Sequence, residues 1–398
     1  MRSASGRGLV IFSYADPAGF SGQKAATELV VAGLVRRGWG CRRLGLPVFR
    51  DEGRPPRPLQ FAGSLLGAWF RALGILAARG GWLCVNIGQT RFAFVRDAVP
   101  LLLGSAALGR KHVIVVLHGS LFLRWPQGSW DGRVFSFLLR RAGTVVALGA
   151  TQRARLLDLG LPAGSVEVLV NTCEQPVLAE EDVRAKHDAG AGELRPLRLL
   201  FLSSLIDTKG YPEFLLAARR LGSADGPLIE ATLCGRLAPS EFSDRFRDQG
   251  EAERWIEEEI AAIGRQPRSR ARWLKGAAGI EKAELFRQTD IFVLPTRYPV
   301  EAQPLVLLEA MASGCAIVCS GVGEIPTILD DESAILVDPV SEETVAAALQ
   351  ALALDPGRRR RLALAANRRY RERYGLERHL DRWEQMLGGE RPRPGPPS

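Results

Sequence analysis

The sequence lacks several patterns by which metal sites are recognised. Its 398 residues include six cysteines and four histidines, but no CxxC pair and no run of Cys and His at zinc-ligand spacing. Asp-X-Asp, a triplet that can hold a divalent cation, is absent as well. The sequence therefore predicts no metal site. Four cysteines lie in apolar runs, where a thiol behaves as a small hydrophobe, and this usage predicts a reduced compartment.

Long apolar segments are also missing. The longest candidate, residues 63–80, carries Arg71 near its centre and has helical spacing, so we interpret it as an amphipathic helix and not as a membrane span. The polar start of the chain passes directly into a short apolar strand, unlike a secretory signal. Together these features predict a cytoplasmic protein. The tail 388–398 has no periodicity and is predicted to be disordered.

Positive charge is concentrated in the first half of the chain. Residues 1–180 contain 22 Lys and Arg against 10 Asp and Glu, whereas the remainder contains 31 against 34. This asymmetry predicts an anionic partner for the first half, such as phospholipid headgroups, a pyrophosphate-linked acceptor or nucleic acid. A solvated surface in an arginine-rich protein is the alternative.

Apolar strand segments alternate with helical segments along most of the chain, which predicts doubly wound parallel sheets. The length suits two domains. We place the first at 1–178, a charged connection at 179–196, the second domain at 197–370 and a last helix at 371–387. A polar insertion at 238–270 interrupts the second series.

The most informative segment surrounds two glutamates. Glu301 follows a loop after an apolar strand, and Glu309 lies eight positions later in an apolar helix. Pro304 suits the first turn of that helix. A helix that opens at the carboxyl end of a parallel strand directs its free N–H groups to the edge where such sheets bind ligands. An unpaired carboxylate in this apolar setting is costly, so a ligand role is favoured for Glu309.

This segment, TRYPVEAQPLVLLEAMASGCAIVCS, resembles the E-x7-E element of retaining glycosyltransferases of family 4. FLSSLIDTKGYPEFLLAA resembles the first strand and helix of that family's nucleotide domain, and LHG at 117–119 resembles its histidine-containing turn. The resemblance implies a GT-B fold, in which two Rossmann-like domains face each other across a cleft and the C-terminal helix crosses back to the first domain.

The resemblance also implies roles for individual residues. Glu309 would accept hydrogen bonds from ribose hydroxyls, and Glu301 would contact the transferred sugar. Lys209 would neutralise the donor diphosphate. His118 would orient the donor sugar, and Gly22 would allow close approach of backbone to the donor. We count Glu301, Lys209 and His118 as catalytic.

The sequence departs from the family pattern near the donor. Ser204 stands where the family usually has an arginine, and Arg236 is the candidate to supply the missing cation. Ala302 and Gln303 replace the usual Gly-Phe. The remaining predicted nucleotide-sugar-binding residues of this loop are Pro304 and Leu305.

By resemblance, the chain is predicted to be a retaining, metal-independent hexosyltransferase without a cofactor. It would move a sugar from a nucleotide-sugar to a lipid-linked, polysaccharide or other glycan acceptor, as in cell-envelope polysaccharide biosynthesis. We expect peripheral contact with the anionic inner face of the membrane and no nucleic-acid partner. The alternatives are a GT-B sugar-nucleotide epimerase or phosphorylase, and a non-catalytic basic scaffold that binds anionic membrane.

Overall fold

The computed structural model describes residues 8–15, 22–47, 63, 66, 67, 70, 81–188, 195–223 and 226–388. The chain forms two compact units, one of Met1–Thr172 with Leu376–Ser398 and one of Cys173–Gly375. The first boundary falls before the predicted residue 178, and the second falls after residue 370. The predicted amphipathic helix at 63–80 and the predicted disordered tail lie almost entirely outside the described residues.

The first unit contains a six-stranded parallel sheet. Its strands are β1 (Gly8–Ala15), β2 (Gly40–Pro47), β3 (Trp82–Asn86), β4 (Val113–Val116), β5 (Thr144–Ala147) and β6 (Val166–Val168). Their order is β2-β1-β3-β4-β5-β6. The connecting helices are α1 (Gly22–Arg36), α2 (Arg91–Leu108), α3 (Trp130–Leu139) and α4 (Ala150–Asp158). Leu83 and Val85 enter one buried cluster and Cys84 enters the other, because alternate residues of a covered strand face opposite sides.

The second unit contains another parallel sheet of six strands. These are β7 (Leu197–Leu202), β8 (Ile229–Cys234), β9 (Ser269–Leu274), β10 (Ile291–Leu294), β11 (Ala316–Cys319) and β12 (Ile335–Leu336). Their order is β12-β11-β10-β7-β8-β9. Its helices are α5 (Glu180–Asp188), α6 (Tyr211–Leu221), α7 (Gln249–Gly264), α8 (Gly279–Gln288), α9 (Leu305–Ala312), α10 (Ile325–Ile328), α11 (Glu342–Leu354) and α12 (Pro356–Arg373).

The last helix, α13 (Leu376–Gly388), returns to the first unit, as the resemblance implied. It packs on α1, where Gly33 leaves room for Leu380: a Cβ at Gly33 would lie 2.5 Å from the leucine methyl groups. Arg37, the residue after α1, pairs with three carboxylates of α13, those of Glu377, Asp381 and Glu384, at 2.5, 2.7 and 2.8 Å. Helix α13 is therefore an integral part of the first unit.

The segment interpreted as a connection, residues 179–196, differs from that expectation where it is described. Residues Glu180–Asp188 form α5 within the second unit. Val183 is fully buried, and a Cβ at Gly314 would lie 2.4 Å from its methyl group. Buried His187 hydrogen-bonds the Gly314 carbonyl at 3.0 Å. This charged segment forms a packed helix because its two buried residues, Val183 and His187, lie four positions apart on one side of α5.

None of the described helices combines the length and the apolar character needed to cross a bilayer. All six cysteines carry free thiols, and five are buried.

Candidate active site

The strand order of the second unit's sheet creates one point where a ligand site is expected. In its sheet, β7 leads to β8 and β9 on one side, while β10 lies on the other side of β7. This reversal makes the gap between the carboxyl ends of β7 and β10 a topological switch point, where open parallel sheets bind ligands. Lys209 follows β7 and Glu301 follows β10.

Close packing of the two loops brings Lys209 and Glu301 together. Gly210 has a φ of +88°, and a Cβ there would lie 2.2 Å from the Pro295 carbonyl oxygen, so only glycine fits. Lys209 Nζ lies 3.2 Å from Glu301 Oε2 and 5.1 Å from the centre of the Tyr298 ring. The pair is electrostatic, since Glu301 Oε2 has no hydrogen-bond partner although it is buried. The lysine ammonium thus has an anion and an aromatic face as neighbours.

The second carboxylate is held by a different lysine. Glu309 lies in the apolar helix α9 and is only 6% exposed. Lys282, on α8, donates to Glu309 Oε1 at 2.5 Å, whereas buried Oε2 has no hydrogen-bond partner. Burial raises the pKa of Glu309, and the Lys282 ammonium opposes that rise. A buried carboxylate oxygen without a donor is costly unless a ligand supplies one.

The loop between the two glutamates is fixed by its backbone. The Ala302 carbonyl accepts from the Glu324 N–H at 2.9 Å, and a Cβ at Gly323 would lie 2.3 Å from the Glu301 carbonyl oxygen. Ala302 and Gln303 are buried. Pro304 is the N-cap residue of α9, with Leu305 as the first helical residue, so the helix begins one residue later than predicted for Pro304. The start of α9 and both glutamates therefore lie on one ordered segment.

Ser204 stands after β7 where the family pattern has an arginine, and Arg236 lies nearby, after the end of the neighbouring strand β8. The Leu205 N–H donates to the Arg236 carbonyl at 2.8 Å, so half-buried Ser204 and Arg236 lie on adjacent backbones. The Arg236 side chain is exposed, and its Nε donates to the Lys275 carbonyl at 3.0 Å. Arg236 thus lies beside Ser204, and whether it supplies the missing cation stays a prediction.

His118 and Gly22 belong to the first unit. His118 follows β4 and lines a small cavity with the polar residues Thr27, Asn86, Asn171 and His379. Burial, with a smaller contribution from nearby His379, lowers the pKa of His118 to about 4. Gly22 is exposed and begins α1, and a Cβ there would meet no atom within 4 Å.

Three residues of the second-unit site were missed by the sequence reasoning. Lys282 and Tyr298 contact Glu309 and Lys209, as described above. Asp207, two residues before Lys209, is buried and accepts from the backbone N–H groups of Thr208, Asp244 and Arg245 at 2.7, 3.0 and 2.7 Å. Asp207 thereby connects the turn that carries Lys209 to the polar insertion. Its position in IDTKG, two residues before Lys209, was the sequence signal that could have identified it.

Among the described residues, no group of three or more His, Cys, Asp or Glu side chains is placed to hold a metal ion.

Known proteins resemble this chain both in sequence and in fold. Residues 183–369 match the family model described as Glycosyl transferases group 1. A D-inositol 3-phosphate glycosyltransferase of Stackebrandtia nassauensis is 31% identical over 180 residues, which cover 38% of this chain and 40% of that protein. The match thus spans about two-fifths of that curated relative's length.

Two solved structures share the fold of nearly the whole chain. Anabaena HepE, in complex with UDP, gives a TM-score of 0.68 at 16% identity and covers 96% of this chain and 99% of that one. Sucrose-phosphate synthase of Thermosynechococcus elongatus gives 0.68 at 17% identity and covers 96% and 98%. Identities this low establish the fold alone. The resemblance drawn from the sequence is confirmed, since residues 183–369 match the group 1 glycosyltransferases and the chain has the GT-B fold.

Proposed function

We propose that this chain is a retaining, metal-independent glycosyltransferase of family 4 that takes its sugar from a nucleoside diphosphate sugar. The observation that carries the proposal is the pair of carboxylates Glu301 and Glu309, each facing a lysine and each with a buried oxygen that lacks a hydrogen-bond donor. Both glutamates come after β10 in the chain, at the switch point of the second sheet. A ligand rich in hydroxyl groups would satisfy both oxygens.

Glu309 suits the ribose of the donor. With Oε1 bound by Lys282, Oε2 is left to accept from a ribose hydroxyl. A carboxylate accepts from hydroxyl groups but cannot donate while ionised, so the Lys282 ammonium, which favours ionisation, supports this role. Nucleotide binding would thereby compensate the cost of burying the free oxygen.

Lys209 exchanges partners when the donor binds. Without donor, the Glu301 carboxylate is the anion beside Lys209, at 3.2 Å. A diphosphate carries more negative charge than one carboxylate and competes for the ammonium. Once Lys209 pairs with the diphosphate, Glu301 is free to accept from hydroxyls of the transferred sugar. The cation–π contact with Tyr298 holds the ammonium near the site during the exchange.

The reaction breaks the bond between the anomeric carbon and the diphosphate oxygen, and the leaving diphosphate takes the electron pair. Lys209 stabilises the charge that develops on that oxygen. The acceptor hydroxyl attacks from the same face of the oxocarbenium-like carbon, which retains the anomeric configuration. Its proton passes to the departing phosphate oxygen, so the step is balanced without a metal or a further reactant.

For the acceptor we propose a lipid-linked or polysaccharide glycan at the cytoplasmic face of the membrane. The basic first half of the chain supports an anionic acceptor or an anionic surface. The named relative acts, by its description, on D-inositol 3-phosphate, an anionic acceptor. A structure of HepE in complex with UDP-glucose shares the fold of this chain, with a TM-score of 0.67 at 17% identity. UDP-glucose is therefore the first donor to test.

The decisive experiment is a panel of nucleoside diphosphate sugars, including UDP-glucose, assayed by thermal shift and by release of nucleotide. A donor that binds the folded chain raises its melting temperature by mass action. We expect at least one donor to stabilise the protein, transfer to persist in excess chelator, and NMR of the product to show the donor's anomeric configuration. If no donor raises the melting temperature and no nucleotide is released, the proposal is wrong.

A further inference from the structure

Two adjacent helices of the first unit present large apolar side chains to solvent. On α2, Phe92 and Val95 are 53% and 48% exposed, and on α3, Trp130 and Phe137 are 59% and 50% exposed. Each pair lies three or seven positions apart, which places its members on one side of a helix. The opposite sides of α2 and α3 pack in the core through Phe94, Phe135 and neighbours.

The two exposed stripes meet where the helices begin. Arg91, the first residue of α2, hydrogen-bonds the carboxylate of Asp131 on α3 at 2.9 and 3.2 Å. Its guanidinium also lies 5.5 Å from the centre of the Trp130 ring. Arg133, three positions after Trp130 and four before Phe137, is exposed on the same side of α3. We call the surface of Arg91, Phe92, Val95, Trp130, Arg133 and Phe137 the α2–α3 face.

The segment that carries this face is strongly basic. Residues 91–141 contain eight Lys and Arg but only two acidic residues. Both acidic side chains are engaged: Asp97 is fully buried against Arg96 at 2.6 Å, and Asp131 is held by Arg91. A second arginine–ring contact places the Arg141 guanidinium 4.4 Å from the Phe137 ring centre. The α2–α3 face therefore presents aromatic rings interleaved with arginine side chains.

We propose that the α2–α3 face docks the first unit onto an anionic lipid bilayer. Aromatic side chains insert at the level of the headgroups, and arginines pair with lipid phosphates, so the two residue types together fit a membrane surface. The described exposed large apolar residues of the second unit, Val177, Ile280 and Leu354, lie far apart in sequence and share no helix. The partner class is thus set by the combination of rings and positive charge on α2 and α3.

This inference deepens the proposed function, since it names the surface that would meet a membrane-linked acceptor. Its test uses vesicles alone, without donor or acceptor, so it fails or succeeds independently of the transferase proposal.

The first test is cosedimentation of the full chain with phosphatidylcholine vesicles that contain about one-third phosphatidylglycerol or none. The F92S/W130S/F137S variant should bind the anionic vesicles at least about ten-fold more weakly than wild type. The control variant V35S/L354S, which removes two exposed apolar side chains elsewhere, should bind like wild type. Equal binding by the F92S/W130S/F137S variant and wild type would overturn the proposal.

A charge-matched pair tests the arginines. The R91Q/R133Q variant should weaken anionic binding and reduce its salt dependence, because fewer cations remain at the surface. The control R254Q/R358Q removes two exposed arginines of the second unit and should leave binding unchanged. Wild type that stays unbound beside anionic vesicles at low salt would contradict the proposal.

Docking on a bilayer differs from misfolding and from self-association in three measurable properties. Quenching of tryptophan fluorescence by brominated phosphatidylglycerol should fall in W130F, although this variant keeps an aromatic ring and should still bind. Melting temperatures exclude misfolding as the cause of lost binding. If the F92S/W130S/F137S variant instead converts a dimer to a monomer in analytical ultracentrifugation, with vesicle binding unchanged, the face pairs with a second copy and the membrane proposal is wrong.

Discussion

At the scale of single residues, Glu301 and Glu309 differ in how completely they are removed from water. Glu309 is buried in an apolar helix, and burial raises its pKa. Glu301 lies half-buried in the preceding loop, with Lys209 as its counter-charge. In the proposed function the two carboxylates would have different tasks: Glu309 would hold a fixed part of the donor, and Glu301 would change partners when the donor binds.

Replacing Glu301 with Gln tests its part in the chemical step. The variant keeps the shape but removes the charge, so we expect turnover to fall by about 10²-fold, the scale of one lost transition-state contact. Donor affinity should change much less. Release of nucleotide under saturating donor measures the effect. Turnover equal to wild type would remove Glu301 from the reacting centre.

Lys282 is predicted to position Glu309 and to keep it ionised. In Lys282→Met the pKa of Glu309 should rise further, because the ammonium that opposes the effect of burial is gone. Donor KM should rise about ten-fold, equivalent to ~1.4 kcal/mol. The acidic limb of the kcat/KM profile should move to higher pH, since Glu309 becomes protonated earlier as pH falls.

Lys282→Arg should recover most of the affinity, because it restores the positive charge. A merely structural role for Lys282 would lower the melting temperature of Lys282→Met and leave the pH profile in place. That outcome would contradict the positioning role.

Single residues were predictable where a local pattern marked them. Glu301, Glu309 and Lys209 stand at fixed places relative to strands and helices, and the structure brings Glu301 and Lys209 together. Lys282 and Tyr298 carry no such mark. Lys282 lies 27 positions before Glu309, and only the tertiary fold makes their side chains neighbours. Long-range contacts of this kind are set by the tertiary fold, which a local spacing does not report.

At the scale of elements, helix α13 depends on a neutral histidine for part of its attachment. His379 Nδ1 lies 2.9 Å from the Val170 carbonyl, and its Nε2 lies 3.1 Å from Trp383 Nε1. Indole N–H only donates, so Nε2 must accept and the ring must be neutral, with the proton on Nδ1. Burial lowers the pKa of His379 to about 4.

This arrangement predicts loss of stability on acidification. In the unfolded chain His379 becomes protonated below its ordinary pKa of about 6.5, whereas in the folded chain it stays neutral down to about pH 4. The unfolded chain therefore binds more protons in this range, and the free energy of unfolding falls as pH decreases through it. His379→Gln should melt lower at pH 7 but lose less between pH 7 and about 4.5. Thermal melts at several pH values measure both quantities.

Gln385→Ser, an exposed change on the same helix that removes no titratable group, is the control and should keep the wild-type pH dependence. An equal loss on acidification in wild type and His379→Gln would show that protonation of His379 does not set the slope. His187, whose pKa burial also lowers to about 4, contributes in all three proteins and so cancels in the comparison. His118 lies near His379, which adds to the lowering of its pKa, so its contribution to the acid loss also decreases in His379→Gln, in the same direction.

Strands made of continuous apolar runs were predictable from the sequence, and strands that carry several arginines were not. The apolar runs WLCVNIG, HVIVVLHG, LRLLFLSSL and DIFVLPT predicted β3, β4, β7 and β10, and AILVD predicted the edge strand β12. The structure contains each of these strands. The strands β2 and β9 were missed, and both lie at an edge of a sheet. They carry Arg42 and Arg43, and Arg270 and Arg272, because an edge strand is covered less completely and tolerates charge. Within the polar insertion at 238–270, residues Gln249–Gly264 form α7, whereas the end of the insertion, RQPRSRAR, runs into β9.

At the scale of the whole molecule, sequence similarity and charge divide between the units. The family match covers residues 183–369, in the second unit, whereas the positive charge lies in the first 180 residues. The second unit holds Lys209, Glu301 and Glu309 at one switch point, and the first presents the basic α2–α3 face. This division fits a donor side with a shared nucleotide chemistry and an acceptor side adapted to its own partner, as proposed above.

The measurement that tests the central claim most directly is calorimetric titration of nucleoside diphosphate sugars, UDP-glucose first, into wild type and Glu309→Gln. Wild type should bind at least one donor, and the variant should bind that donor at least about ten-fold more weakly, since a ribose hydroxyl loses its charged acceptor. The control Leu354→Ser, in the same unit but exposed on α11, should match wild type. Equal affinity of wild type and Glu309→Gln for the donor would contradict the account.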